Sequence, residues 1–226
     1  MAGIGHPPKS GANAQKNGPS PRARNTDPTP EIADPRMLTL IEAAETMFLA
    51  KGYHAATMSD VAKAAGMSKK TVYQMIESKT ELFAELLAHH QTLINFPTHP
   101  PGTQAAEILA ATLLALGRFL LSPEQIAIIR LIMTEYTHSP ELGRLFHRNR
   151  VSKAKTKLET CLTELSQTCT NNTTFDAKEM AAILFGMAIG EFHISTLVGY
   201  RPAPTRQILE KRIRTAVDIF LAGCPK

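Results

Sequence analysis

From Asp34 onward, apolar residues recur with a helical period, and no segment shows the two-residue period of a strand. Met37, Ile41, Ala44 and Phe48 repeat at helical spacing between Asp34-Pro35, a start with Pro in the first turn, and Gly52. Thr57, followed three residues later by Asp60, makes a capping-box-like start for a short second helix whose inner face is Val61, Ala62 and Ala65. Gly66 stands at the sharp turn that follows, where a left-handed backbone is open to glycine without steric cost. Ser68 caps a third helix, Lys69 to about Ile76, with Val72 and Ile76 inward. A fourth opens at Ser78-Lys79-Thr80-Glu81, buries Leu82, Phe83, Leu86 and Leu87, and stops before Pro97.

Pro97 to Gly102 breaks the pattern, and further helical segments follow. They run from Thr103 to Leu121, from the capping box Ser122-Pro123-Glu124-Gln125 to about Thr137, and from Ser139-Pro140-Glu141 to about Gln167. The last two are Asp176 to Val198 and about Thr205 to Ala222. An all-α fold is expected, with an N-terminal three-helix helix-turn-helix unit and a larger helical unit. Met1 to about Ala33, rich in Gly, Pro, Ser, Asn and Lys, has too little apolar surface to offset ordering and is expected to be a disordered tail. Within that tail, Arg22 and Arg24 are more simply solvated than DNA-bound. The expected divisions are residues 1–33, 34–86 and 87–226.

Composition narrows the function. The 226 residues suit one domain of about 200 or two sharing a helix, and the absence of Trp suits a core of Leu, Ile, Ala and Met. Net charge is +5, yet the segment from Asp34 to His90 carries −1, so positive charge in the helix-turn-helix is local, at Lys69, Lys70 and Lys79. A local charge favours a specific groove-plus-phosphate contact over general polyanion binding. Cys161, Cys169 and Cys224 show no CxxC spacing, and no apolar stretch marks a secretory leader, so reduced thiols in a cytoplasm are expected. The apolar run Met180 to Ile189 reads as too short to span a bilayer, and no membrane partner is expected.

The outer face of the third helix offers Lys69, Lys70, Thr71, Tyr73 and Gln74, with no acid before Glu77. Cations, hydroxyls and an amide on one face suit a helix lying in a DNA major groove. His89, His90 and His99 lack metal-site spacing and read as solvated, and neither a catalytic triad nor a Gly-rich phosphate loop is visible. No enzyme activity, cofactor or metal is expected. Cys161 and Cys169, eight apart, read as packing rather than a thiol sensor.

Ile41, Ala43, Ala44, Phe48, Gly52-Tyr53, Ala56-Thr57-Met58, Asp60-Val61-Ala62, Ala65-Gly66-Met67-Ser68, Thr71-Val72-Tyr73, Ser78-Lys79 and Leu82-Phe83 together resemble the TetR family of bacterial transcriptional regulators. The likeness covers about Arg36 to Leu86, with Met75-Ile76 standing where the family usually carries an aromatic pair. Arg130 to Glu135 followed by Ser139 to Gly143 is similar to the AefR-like C-terminal type, which implies a fold, a ligand pocket and a dimer. The resemblance implies phosphate contacts for Thr57, Tyr73 and Lys79, and base or nearby phosphate contacts for Lys70, Thr71 and Gln74. Ser68 and Lys69 complete the expected DNA-binding set.

The expected protein is a cytoplasmic, nucleoid-associated bacterial repressor, a ligand-responsive homodimer on a palindromic operator in double-stranded DNA. An activator, or a DNA binder with no small effector, is the alternative. The nearly all-apolar segment Met180 to Val198, with Gly186 and Gly190 as a small-xxx-small pair, predicts dimerisation through the Asp176-Val198 and Thr205-Ala222 helices. An apolar or aromatic effector is expected against Phe119, Met133, Tyr136, Phe146, His147, Met187 and Phe192, soft side chains suited to an adaptable pocket.

Overall fold

The computed structural model describes residues 34–148, 152–168 and 176–223, of which no strand is part. The expected tail, Cys169 and Cys224 lie outside the described residues. Helix α1, Pro35–Lys51, opens on the Asp34 carboxylate, which accepts from the Arg36 N–H, and ends at Gly52 with φ of 83°. Its inner side, Leu40, Ile41, Ala44 and Phe48, is buried. Helix α2, Met58–Ala64, has a complete capping box: Thr57 Oγ1 accepts from the Asp60 N–H at 3.1 Å, and Asp60 Oδ2 accepts from the Thr57 N–H at 3.0 Å. Gly66 takes the expected left-handed conformation, φ 65°. Helix α3, Lys69–Met75, is capped by Ser68, and α4, Lys79–Thr92, by Ser78. Each cap satisfies a first-turn N–H that the helix itself leaves without a partner.

The larger part contains α5, Ala105–Leu120; α6, Pro123–Thr134; α7, Glu141–Phe146; α8, Ser152–Thr168; α9, Ala177–Phe185; α10, Glu191–Leu197; and α11, Arg206–Gly223. The long helix expected from Ser139 to Gln167 is described as two elements, α7 and α8, with residues 149–151 outside the description. The segment Asp176 to Val198 holds a π-helical turn, Gly186–Gly190, between α9 and α10. Because the helical path continues through that turn, Ala177–Leu197 is 21 residues long and apolar enough to cross a membrane by length and composition. This corrects the shorter apolar run read from sequence. Here its inner side is buried against the protein, with Ala181, Leu184, Ala188, Ile189 and Phe192 in the core.

Two large apolar clusters organise the described residues, with a small third of Ile126, Ile129 and Leu197 between α6 and α10. One joins α1 to α4 with Ile128 and Leu131 of α6 and Leu142 and Leu145 of α7. The other joins α5, α8, α9, α10 and α11. At Gly117 a Cβ would lie 3.1 Å from Leu209, so glycine lets α11 approach α5 closely. Packing therefore ties α6 and α7 to the N-terminal helices, although they follow α5 in the chain.

Candidate nucleic-acid interface and effector core

Helix α3 turns Val72 into the core and presents Lys69, Lys70, Tyr73 and Gln74 to solvent. Tyr73 is 54% exposed, so its ring stands clear of the core. Thr71 is half-buried, its hydroxyl 2.8 Å from that of Ser68 at the start of the helix. Thr57 is exposed at the start of α2. Met75 and Ile76 take up the space of the usual aromatic pair, with Ile76 buried and Met75 partly so. This assembly gives one solvent-facing helix rich in donors, flanked by hydroxyls at two helix starts.

In this structure the Lys79 side chain, expected on phosphate, is turned inward onto the backbone. Its ammonium donates to the carbonyls of Tyr53 at 2.8 Å, Ala56 at 3.0 Å and His54 at 3.1 Å, and lies 4.5 Å from the centre of the Tyr53 ring. All three N–H bonds are thus engaged in holding the turn between α1 and α2. Burial lowers the Lys79 pKa, partly offset by the carboxylates of Glu135 and Glu141. Burial likewise raises that of Tyr53, opposed by its hydrogen bond with Thr80. Asp60, by contrast, is held well below the usual carboxylate range by hydrogen bonds from Lys51 and from Thr57.

The same turn is gripped from outside. Glu135, at the end of α6, accepts from the His54 N–H at 3.2 Å, and the His54 and His138 rings lie 5.4 Å apart. A second link runs deeper. His90 is buried rather than solvated, a correction to the sequence reading, with Nε2 3.1 Å from Glu45 Oε2 on α1 and Nδ1 2.6 Å from Gln125 Nε2 on α6. Gln125 therefore does not close the expected capping box. Ser122 Oγ accepts from the Gln125 N–H at 3.3 Å, but the amide side chain is drawn to His90 instead. Sequence reasoning missed Glu45, Gln125 and Glu135 as links. Only the His89-His90 pair carried a signal, and it pointed to solvent.

The seven expected effector residues do not share one described cavity. Phe119 lines a cleft between α4, α5 and α6. Met133 and Tyr136 are 58% and 69% exposed, and His147 is exposed. Phe146 is partly buried against the cluster beneath α1 to α4. Phe192 is in the other core, with the Arg212 guanidinium 5.0 Å from its ring centre, and Met187 packs on that core. Cys161 is buried with its sulfur 3.8 Å from the Thr112 hydroxyl, in an ordinary packing position. Among the described residues, no group of three or more His, Cys, Asp or Glu side chains is placed to hold a metal ion.

A capped two-helix turn with a polar outward helix, on an all-helical body, defines a helix-turn-helix transcriptional regulator. Residues 40–86 match the description of bacterial regulatory proteins of the tetR family, and residues 107–223 match the C-terminal domain of AefR-like transcriptional repressors. The chain belongs to the TetR family.

Among relatives, it is 44% identical over 57 residues to the HTH-type transcriptional activator FasR of Mycolicibacterium smegmatis, which is 25% of this chain and 26% of that one. The chain thus spans about a quarter of the length of the curated relatives it matches. Among solved structures, the Flavonoid-responsive Regulator FrrA is 27% identical with a TM-score of 0.70, covering 84% of this chain and 96% of that chain. A TetR transcriptional regulator from Agrobacterium tumefaciens, 22% identical with a TM-score of 0.68 over 84% and 94%, shares the fold.

Proposed function

We propose that this regulator is a ligand-responsive repressor that binds a palindromic operator as a homodimer in the bacterial cytoplasm. The outward face of α3 carries the reading. Lys69, Lys70, Tyr73 and Gln74 are exposed together on a helix whose other side is fixed in the core. Lys70 and Gln74 have the chemistry to read guanine and adenine edges, while Thr57, Ser68, Thr71 and Tyr73 position the helix on the backbone. The division into a DNA-binding unit at residues 34–86 and an effector and dimer unit at 87–226 belongs to the same proposal.

Dimerisation draws support from two exposed apolar stripes. Ile183, Ile194 and Val198 lie exposed on the α9–α10 run, and Ile208 and Ile219 on α11. Gly186 and Gly190 have open space where a Cβ would stand, so a second helix can approach the backbone there. Effector binding that changes the separation of the two heads would break their match to grooves about 34 Å apart. FrrA is described as flavonoid-responsive, and it favours an aromatic effector for a chain similar over nearly its whole length. FasR is described as an activator, and its likeness favours the second reading, activation or DNA binding without a small effector, only as far as the DNA-binding unit extends.

Footprinting on the DNA flanking the chain's own gene tests the proposal. Protection of two inverted half-sites is expected. Protection without symmetry would remove the palindromic dimer reading. Salt dependence sharpens it: Lys69→Ala or Lys70→Ala should lower the slope of log affinity against log salt by about one if its ammonium meets phosphate. Lys79→Ala should leave that slope unchanged, because its ammonium is held on three carbonyls. A slope change confined to Lys79→Ala would reverse these assignments.

A further inference from the structure

The cleft between the end of α4, the end of α5 and the start of α6 has a volume of about 440 Å³. That is within the range of small-molecule pockets. Leu93, Ile94 and Phe119 give it apolar walls, and Gln125 lies among its lining residues. Gln125 is 1% exposed, and its Oε1 is a buried acceptor with no hydrogen-bond partner. Such an orphaned acceptor costs the folded state free energy that a donor placed against it recovers. Both Arg118 and Glu124 stand exposed at the rim, so the entrance selects neither sign of charge.

The other end of the same amide is already committed. Gln125 Nε2–H donates to His90 Nδ1, and the matching neutral tautomer donates from Nε2–H to Glu45 on α1. Hydrogen bonds in such a chain polarise one another, so a donor arriving at Oε1 strengthens the amide's own donation to His90 and, through it, the tie to α1.

We infer that this cleft is a binding site for an uncharged, hydroxylated aromatic molecule of one or two rings, whose hydroxyl donates to Gln125 Oε1. Its occupancy is passed to the DNA-binding helices through His90 and Glu45. The inference rests on the ligand-responsive reading and gives that reading a place and a chemical class. The site differs from the set expected in sequence, sharing only Phe119 with it.

The test uses the full chain and 2-naphthol, with 2-methoxynaphthalene as a probe of similar shape that has no hydroxyl to donate, both followed by calorimetric titration without DNA. Wild type should bind 2-naphthol at least about tenfold more tightly, the order of one net hydrogen bond. Gln125→Leu should abolish that preference. Since Gln125→Leu also removes the partner of His90 and risks the fold, Ala115→Leu, on the half-exposed cleft wall, serves as the second variant. It should fill the cleft and lose 2-naphthol while keeping the wild-type Tm.

Equal affinity for the two probes, or 2-naphthol binding unchanged in a folded Ala115→Leu, would overturn the site. Operator gel shifts separate the two failures. If 2-naphthol binds in the cleft with the expected preference but leaves operator affinity unchanged, the site stands, and both its link to DNA and 2-naphthol responsiveness fall. If another compound releases the operator equally from wild type and Ala115→Leu, and 2-naphthol does not bind, the ligand-responsive reading stands and this site falls.

Discussion

The cluster beneath the recognition helix is built round three rings. Phe48, Tyr53 and Phe83 lie 5.2 to 5.9 Å apart between centres, and both phenylalanines are fully buried. Helices α1 to α4 each begin with a side-chain cap, and the Lys79 ammonium fills the turn between α1 and α2 with three hydrogen bonds. The other cluster is built mainly of aliphatic side chains with Phe192 and Phe220 apart from one another in the chain, it is crossed by a π-helical turn, and α5 starts without a side-chain cap. Buried acceptors or donors without partners occur in the larger unit, at Gln125 Oε1, His193 Nε2 and Thr196 Oγ1. Fully satisfied polar groups fix one arrangement, whereas partly satisfied ones leave alternatives close in free energy. A rigid reading head joined to a more permissive body is the division of labour that a switchable DNA binder needs.

The largest effect should come from the rings. Phe83→Ala removes a fully buried side chain and should cost about 3–5 kcal/mol in chemical denaturation. Since the same cluster includes Leu131 of α6 and Leu142 of α7, the loss should appear in a transition shared with the larger unit. A separate early transition of the N-terminal helices, with the main one unmoved, would show that the two regions unfold independently.

Gly186→Leu probes the other region. Nothing in the protomer lies within 4 Å of a Cβ there, so the isolated subunit should tolerate leucine. Sedimentation should nevertheless show monomers, with operator affinity lowered by on the order of a hundredfold or more as the two half-sites lose their linkage. A variant that remains dimeric would move the dimer interface away from the π-helical turn.

Gly52→Ala tests the seam between the regions. The residue has a φ of 83°, and a Cβ would fall 2.6 Å from Glu135 Oε1. The positive-φ backbone alone, with ψ of 153°, should cost about 1–3 kcal/mol. Displacing the carboxylate from the His54 N–H adds to that cost. Adding Glu135→Ala should relieve the steric part and leave the backbone part, a non-additivity read in a double-mutant cycle. Strict additivity would mean that Glu135 does not brace the turn.

Much of the reading head was legible because its determinants are local. Thr57 with Asp60, Ser68 with Thr71 and Gly66 each act within a few residues, so spacing alone placed the helices. The links to the body were not legible. His90 is 45 residues from Glu45 and 35 from Gln125 in sequence, and their pairing depends on how α1, α4 and α6 pack. Gln125 even carried a misleading local signal, since its place after Ser122-Pro123-Glu124 fits a capping box that the packed structure breaks in favour of His90. The effector residues were harder to place for a related reason. Helical period says that Met133 and Tyr136 have a side, but only tertiary packing determines whether that side meets a cavity or solvent.

The smallest effect expected is at Asp60, and its pH dependence gives its sign. The carboxylate accepts from Lys51 Nζ at 2.8 Å and from the Thr57 N–H and hydroxyl, which lowers its pKa from the ordinary 3.8. A depressed folded-state value means stability that is fully present above the unfolded pKa and lost as pH falls through the folded one. Asp60→Asn should therefore be less stable than wild type near neutrality, with the gap closing as pH falls from about 5 towards 2. Salt separates the two sources of that gap. The Lys51 pair is exposed, with side chains 47% and 30% accessible, so high salt should weaken its share and leave the cap to the Thr57 backbone largely intact. A gap that disappears entirely in salt would assign the effect to the ion pair. A gap independent of pH would show that the carboxylate's ionisation plays no part in stabilising the start of α2.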